Sequence, residues 1–423
     1  MNSKQLIAIA VVIVVAVAAV AAALAITGGG DGDGDSTPGA VKTGAIYGNV
    51  NGDTRVDQTD ISMVQDVIDG KKTLAEYPLA DANKDDKVDY DDLDIVKRMS
   101  ERQPTEIVVV NYLGENVTID YPVKDYAFLG GTNVRTAIAV LGLADGMLAN
   151  GTNKYISPIL DKALYDGKES RKISTLSSSL TTENINTLVN AGARIVISEE
   201  SGMSSSDEMV RALQGVGIDY LELNFKDLTH SKASISTMGI LFGCEDKAER
   251  YNDWTDSVME TIVSSEGNRF GTATVLCVTM SNSVSGTESD YYAATQEVGG
   301  KNLADWNDKT RKFNTGDSWL YDKKYNADFM FHFKSLSFPE PPSQDDLDKY
   351  LGYFSETYTC KEANGYYLIN GVLPLPVRNA VMAEIMYPEC FEEGWSQTLF
   401  QEYVDTFLGI DFQVSKNQYI WHI

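Results

Sequence analysis

The sequence predicts an α/β protein of two lobes joined by one long helix, preceded by a small all-helical module and an N-terminal apolar helix. Three observations predict it. Buried strand-like runs alternate with helical patterns from Thr105 onward, which implies parallel sheets covered by helices. A long amphipathic stretch divides that series in two. Two carboxylate-rich loop and helix units precede it. The 423 residues exceed one core, and the 43% apolar fraction is that of a folded protein. The formal charge of -26 repels nucleic acid backbones and excludes DNA or RNA as partners.

Residues 1–27 form the apolar element. Lys4 precedes an unbroken run from Leu6 to Ile26, long enough at about 1.5 Å per residue to cross a bilayer of roughly 30 Å. A retained transmembrane anchor is favoured over a signal cleaved near Ala25, whose apolar core is usually shorter. Either reading puts the rest of the chain outside the cytoplasm, at the cell surface or secreted. The sequons at Asn116 and Asn150 agree with that. Residues 28–45, rich in Gly and Asp, read as a flexible tether.

Residues 46–103 hold two units whose loops begin 32 residues apart, at 49 and 81. Calcium takes about six to eight oxygen ligands, supplied in a loop of about 12 residues by positions 1, 3, 5, 7, 9 and 12. The first loop offers Asn49, Asn51, Asp53, the Arg55 carbonyl, Asp57 and Asp60. The second offers Asp81, Asn83, Asp85, the Lys87 carbonyl, Asp89 and Asp92. Ile61, Val64 and Ile68 stripe the first helix, and Leu93, Val96 and Met99 the second. So small a core needs a metal or a partner as a staple. The pair, Gly48 to Arg102, resembles the dockerin family of paired half EF-hands. That resemblance implies two calcium ions and a cohesin-bearing partner, docked through loop positions 10 and 11: Gln58 and Thr59, then Tyr90 and Asp91. Asn49 stands where the family has Asp, which weakens the first site. Position 6, usually Gly, is Thr54 and Asp86, where an uncommon backbone geometry is expected.

In the remainder, Ile107–Val110, Tyr126–Leu129, Ile195–Ser198 and Tyr220–Leu223 read as buried strands. The intervening helices are Val134–Leu143, Thr182–Ala191 and Asp207–Val216. Ala248, Tyr251, Trp254, Val258 and Ile262 recur at helical steps, giving an interlobe helix over 236–266 between lobes at 104–235 and 267–423. The second series comprises Thr274–Thr279, Asp328–Phe333 and Tyr366–Ile369, closing in helical Val377–Ile385 and Ser396–Leu408.

Phrases in this order resemble the iron-siderophore, haem and vitamin B12 solute-binding proteins of ABC importers. They are Val117–Pro122 with Tyr126–Gly130 and Ala139–Gly142; Thr182–Ile185 with Ala193–Ile197; Gly239–Gly243; Gly299–Asn302; Asn326–Phe329; and Met382–Pro388 followed by Phe391. The resemblance implies a class III solute-binding fold, with two Rossmann-like lobes bridged by a long helix. It also implies an iron complex, haem or corrinoid in the cleft and a permease as partner. Glu183 matches the first-lobe acid that pairs with permease arginines. The second-lobe position falls near Leu320, with Asp317 the nearest acid.

Arg135, in the first ligand loop, is a candidate contact for a ligand carboxylate. So are Tyr291 and Tyr292, in a second-lobe loop, and Trp306, Trp319 and Arg378, whose flat faces or charge suit a planar ligand. His230, His332 and His422 read as structural. The four cysteines, Cys244, Cys277, Cys360 and Cys390, are compatible with thiols or disulfides. No G-x-S-x-G, H-E-x-x-H, P-loop or dinucleotide glycine pattern occurs, so no catalytic residue is assigned. The alternatives are a dockerin-bearing glycoside hydrolase or a surface scaffold without cargo.

Overall fold

The computed structural model describes residues 42–152, 158–167, 171–174, 180–199, 207–279, 283–305, 311–312, 318, 322–335, 342–352 and 365–422. The apolar run Leu6–Ile26 lies outside them. Among the described residues no helix is long and apolar enough to cross a membrane.

The described residues open with the two loop–helix units, α1 (Gln58–Ile68) and α2 (Tyr90–Ser100). Asp57 and Asp89 cap them, each in a reciprocal capping box with the aspartate three residues on. Val64, Leu93 and Val96 pack between the helices with Val50, Ala80 and Ala82. This small core is not free-standing. The Gly44 N–H bonds the Val110 carbonyl, the Val110 N–H bonds Ala45, and the Tyr47 N–H bonds Val108. Ile46 and Met99 belong to the same core as Ile107, Val109 and Tyr121. The tether predicted through residue 45 therefore ends sooner, because Gly44 and Ala45 already extend a sheet. The staple a core of this size needs is supplied by the first lobe.

A hairpin follows, β1 (Thr105–Val110) antiparallel to β2 (Asn116–Tyr121). The Ile107–Val110 run thus lies outside the parallel sheet in which its position in the series placed it. The parallel sheet begins at β3 (Tyr126–Leu129). It continues through α3 (Thr132–Leu141), β4 (Ala149–Thr152), α4 (Pro158–Tyr165), β5 (Arg171–Ser174), α5 (Thr182–Ala191), β6 (Ile195–Glu199), α6 (Asp207–Gly215) and β7 (Asp219–Leu223). Its order is β5-β4-β3-β6-β7. All of β3 and the first four residues of β6 are buried, as strands covered on both faces must be. Asn150 is wholly buried on the inner strand β4, which removes its sequon from glycosylation chemistry; Asn116 is exposed.

The predicted interlobe helix is two helices. α7 (Leu228–Phe242) ends at Gly243 in the left-handed region, and α8 (Glu245–Glu266) then leads to the second lobe. Ala248, Tyr251, Trp254, Val258 and Ile262 form the buried stripe of α8. The second lobe contains β8 (Ala273–Thr279), β9 (Ser283–Val284), α9 (Asp290–Glu297), β10 (Gly300–Asn302), β11 (Arg311–Lys312), β12 (Phe329–Lys334), α10 (Gln344–Gly352) and β13 (Gly365–Asn370). It ends with α11 (Leu375–Met386), α12 (Trp395–Tyr403) and β14 (Ile420–His422). α12 ends before its predicted limit and passes into a wider turn over Val404–Leu408. β10, β8, β12 and β13 run parallel; β9, β11 and β14 are antiparallel additions. Tyr403 and Phe407 pack on Trp254, which ties the C-terminal helices to the interlobe helix.

Candidate functional site

In open parallel sheets, ligands bind beyond the carboxyl ends of the strands, where the strand order reverses direction. In the first sheet the chain passes outward from β3 through β4 to β5 and returns to β6 on the other side of β3. The reversal point lies between β3 and β6. Gly130 and Gly131 follow β3 there, and Glu199 ends β6. In the second sheet β10 lies on one side of β8 and β12 on the other, so the reversal lies between β8 and β12.

Glu199 is built into the first of these points. Its Oε2 accepts the Gly131 N–H at 2.7 Å and the Val134 N–H at 3.3 Å, occupying donors at the start of α3. Two glycines make room for it. A Cβ on Gly130, at φ 154°, would stand 2.8 Å from the Glu199 Cβ, and one on Gly131 3.3 Å from Oε2. Burial pushes the Glu199 carboxyl up to about 7, against the two N–H groups and Arg135; the charge of Asp290 raises it further. Asp290 begins α9 of the second lobe, so a second-lobe charge reaches this point of the first.

Arg378 and Tyr291 build the second point. The Arg378 Nη1 meets the Asp290 Oδ2 at 2.7 Å, and its guanidinium lies 4.9 Å from the Tyr291 ring centre. Tyr291 stacks on Phe333 of β12 with centroids 4.1 Å apart. Glu297, at the end of α9, accepts from Asn379 at 2.7 Å and from the Leu228 N–H, at the start of α7, at 3.3 Å. Burial raises the Glu297 carboxyl as well. Three acids, Glu199, Asp290 and Glu297, thus stand near the reversal points, with Arg378 paired to Asp290.

Several predicted contacts sit differently. Arg135 is in the first turn of α3 rather than in a loop, and it is 1% exposed. Its Nη2 donates to the Gly151 carbonyl at 3.1 Å, inside the lobe. Tyr291 and Tyr292 occupy the first turn of α9, not a loop; Tyr292 is half-buried. Arg378 is 3% exposed and consumed by Asp290. Trp306, Trp319 and Asp317 lie outside the described residues. Glu183 is exposed in the first turn of α5, a place that the helix dipole by itself also favours for an acid. His230 bonds Asp227, His332 bonds Tyr366, and His422 stacks on Tyr367. Cys244, Cys277 and Cys390 are free thiols; Cys360 lies outside the described residues. Glu199, Asp290 and Glu297 were not singled out from the sequence. The signal for Glu199 is an acid directly after the apolar run Ile195–Ser198, paired with Gly130-Gly131 after Tyr126–Leu129.

The two N-terminal loops repeat in three dimensions. In each, the position-5 N–H bonds the position-3 side chain: Asp53 to Asn51 at 3.0 Å, and Asp85 to Asn83 at 2.9 Å. The position-7 N–H bonds the position-5 carboxylate: Arg55 to Asp53 at 2.7 Å, and Lys87 to Asp85 at 3.0 Å. The position-9 N–H bonds the position-12 carboxylate: Asp57 to Asp60 at 2.9 Å, and Asp89 to Asp92 at 2.8 Å. They part at position 1. Asp81 accepts the Asp85 and Asp86 N–H groups. Asn49 instead donates to the Asp53 carbonyl at 2.8 Å, and its buried Oδ1 has no partner among the described residues.

They part again at position 6, where Asp86 takes φ 67° and Thr54 does not take a positive φ. Both loops spend a positive φ at position 4, Gly52 and Lys84, which the sequence did not suggest. Asp60, Asp81 and Asp92 are fully buried, and burial raises the Asp60 and Asp92 carboxyls. Among the described residues no three His, Cys, Asp or Glu side chains converge as a metal site; amide and backbone oxygens have to complete any set here. Gln58, Thr59, Tyr90 and Asp91 are all exposed, Tyr90 at 68%.

One open cavity, of about 620 Å³, is lined by Pro122, Asp125, Arg194 and Asp219. It lies at the amino ends of β3, β6 and β7, opposite the reversal point, and is the wrong end of the sheet for a ligand of this fold.

No family model matches the sequence, and no curated protein matches it. Solved structures do share its fold. MolA of Haemophilus influenzae, a molybdate periplasmic binding protein, is similar with a TM-score of 0.58 at 12% identity, over 73% of this chain and 99% of that one. A TroA-like periplasmic binding protein, FepB of Veillonella parvula, gives 0.55 at 14% identity, over 75% and 99%. CeuE of Helicobacter pylori, solved with Ni(II) bound, gives 0.55 at 15%, over 73% and 97%. The chain thus has the two-lobed fold of these periplasmic binding proteins.

Proposed function

We propose that the protein is an extracytoplasmic solute receptor that delivers an iron complex, haem or corrinoid to the permease of an ABC importer. It is anchored or exported through its N-terminal apolar run and is not an enzyme. The observation that carries the reading is the pair of strand-order reversals, with Glu199 built into the first and the Asp290–Arg378 pair beside the second. Of the solved proteins of this fold, CeuE has Ni(II) bound and MolA molybdate. Here Glu199 already takes the Gly131 and Val134 N–H groups, and Asp290 faces it. With those two N–H groups already taken, they are not open to an oxyanion such as molybdate.

The loops are the second half of the proposal. Asn49, Asn51, Asp53, the Arg55 carbonyl, Asp57 and Asp60 would hold one calcium ion. Asp81, Asn83, Asp85, the Lys87 carbonyl, Asp89 and Asp92 would hold another. Support comes from the repeated hydrogen-bond pattern, the three buried carboxylates and the unpartnered Asn49 oxygen, a donor set of hard oxygens. Gln58, Thr59, Tyr90 and Asp91 would face a cohesin-bearing partner. Glu183 and Asp317 are the proposed permease contacts.

A surface scaffold without cargo is the second reading. The inward placement of Arg135 and Arg378 favours it, since neither is free to reach a solute. Tryptophan-fluorescence titration of the full chain with haem, cobalamins and ferric siderophores decides between them. Saturable quenching by one class at micromolar or tighter affinity supports the receptor. Silence toward all three overturns it and favours the scaffold.

A further inference from the structure

We propose that the loop–helix pair at residues 44–103 is a brace on the interlobe hinge. It fixes the direction in which α8 leaves the first lobe, chiefly through Arg102. The break between α7 and α8 is the one place where the helical connection between the lobes changes direction, and Arg102 lies directly on it. A Cβ on Gly243, which sits at φ 68°, would stand 2.3 Å from the Arg102 Cζ, so a larger residue there would strain the backbone and displace the guanidinium. From there Arg102 Nη1 donates to the Ile240 carbonyl at 3.1 Å and the Tyr121 hydroxyl at 3.1 Å, and it pairs with the Glu245 Oε1 at 3.4 Å. The guanidinium covers the Tyr121 ring at 5.3 Å, and the Tyr121 hydroxyl donates to the Met99 carbonyl at 3.0 Å. One side chain thereby joins the end of α2, the end of β2, the last turn of α7 and the first residue of α8. A cation there also meets the negative end of the α7 dipole.

The backbone of Arg102 supports this assignment. It takes φ 54° just past the end of α2, a position at which helices use glycine. An arginine held there spends conformational energy, offset by the closing backbone bond from the Gln103 N–H to the Arg98 carbonyl at 2.8 Å and by its own side-chain contacts. Arg55 adds a second strut. Its Nη2 meets Asp246 Oδ1 and Glu249 Oε2, each at 2.6 Å, in the first turns of α8. Both partners are exposed to solvent, so this strut is the weaker one.

The inference does not rest on cation binding, and its test is run on the full chain in chelator. Arg102→Gly removes the side chain while suiting the backbone, so the end of α2 is kept. Hydrogen exchange is followed by mass spectrometry, and lobe separation by small-angle scattering. Arg102→Gly is expected to speed exchange of residues 240–249 by about tenfold or more, with residues 58–68 unchanged, and to enlarge the maximum dimension of the particle. Arg55→Gln is expected to act in the same direction and less. Unchanged exchange at 240–249 in the double variant overturns the proposal. So does faster exchange confined to residues 44–103, which would make Arg102 a support of the small module alone.

Discussion

The Glu199 carboxylate accepts the Gly131 N–H at 2.7 Å, at the point where the first sheet reverses its strand order. A group held so, with its folded pKa raised to about 7 by burial, binds a proton in the folded state that the unfolded chain releases. Its contribution is fully present below the ordinary glutamate range and is lost as pH rises through about 7. Glu199→Gln is therefore expected to flatten the pH dependence of stability between about 4.5 and 7, because the amide keeps the neutral form. Urea unfolding at a series of pH values checks this. A profile identical to that of the wild type would show that Glu199 ionises freely.

Asn49 predicts a trade between metal affinity and metal-free stability. Asn49→Asp puts a carboxylate where the second loop has Asp81, and is expected to tighten calcium at the first loop by about tenfold, as added ligand charge does. Without metal the same change loses the bond to the Asp53 carbonyl and buries a charge, for a cost of about 1–3 kcal/mol. Calorimetric titration with calcium and thermal unfolding in chelator read the two effects separately. Asp81→Asn is the reverse change and should weaken the second site by about the same tenfold, leaving the first loop unchanged.

How much of this was legible in the sequence depends on the range of the interaction involved. The buried runs Tyr126–Leu129 and Ile195–Ser198 announce themselves because strands covered on both faces have no polar side. The stripe from Ala248 to Ile262 is legible because its spacing is local. Ile107–Val110 looks equally buried, yet it pairs with β2, and only long-range pairing separates a hairpin from a parallel sheet. Arg135 and Arg378 look like ligand contacts in a sequence because it shows charge and not direction; Asp290 lies 88 residues from Arg378. The integration of the small module is hidden for the same reason, since it turns on Gly44, Ala45 and Tyr47 pairing with Val108 and Val110, more than 60 residues on.

Glu266 predicts a stabilising substitution. It ends α8 at 2% exposure, and neither carboxylate oxygen has a hydrogen-bond partner among the described residues. Burial pushes the carboxyl up to about 8. Stability from this group is present below the usual glutamate range and lost as pH rises through about 8. Glu266→Gln is expected to be close to neutral at acid pH and to stabilise the protein by about 1–3 kcal/mol in mildly alkaline buffer. Chemical unfolding across that range measures the difference, and a Glu266→Gln gain that does not grow with pH would contradict it.

The last prediction concerns the pair Asp290 and Arg378, whose members are unequal. The Arg378 side chain is 4% exposed and that of Asp290 28%. Removing one partner of a buried pair leaves the other uncompensated, at about 3–5 kcal/mol when the remaining charge is fully buried. Asp290→Asn strands the guanidinium in the interior and belongs near that range. Arg378→Met strands a carboxylate that solvent still reaches and should cost less, although it also removes the cover of the Tyr291 ring. The two variants also separate at Glu199. The Asp290 charge raises the Glu199 carboxyl, so Asp290→Asn lowers its pKa and moves the stability profile described above toward lower pH. Arg378→Met leaves the Asp290 charge in place, so the Glu199 limb should not move to lower pH. Equal losses of stability would mean that the two members of the pair are equally buried in effect, and an unmoved profile in Asp290→Asn would mean that the Asp290 charge does not reach Glu199.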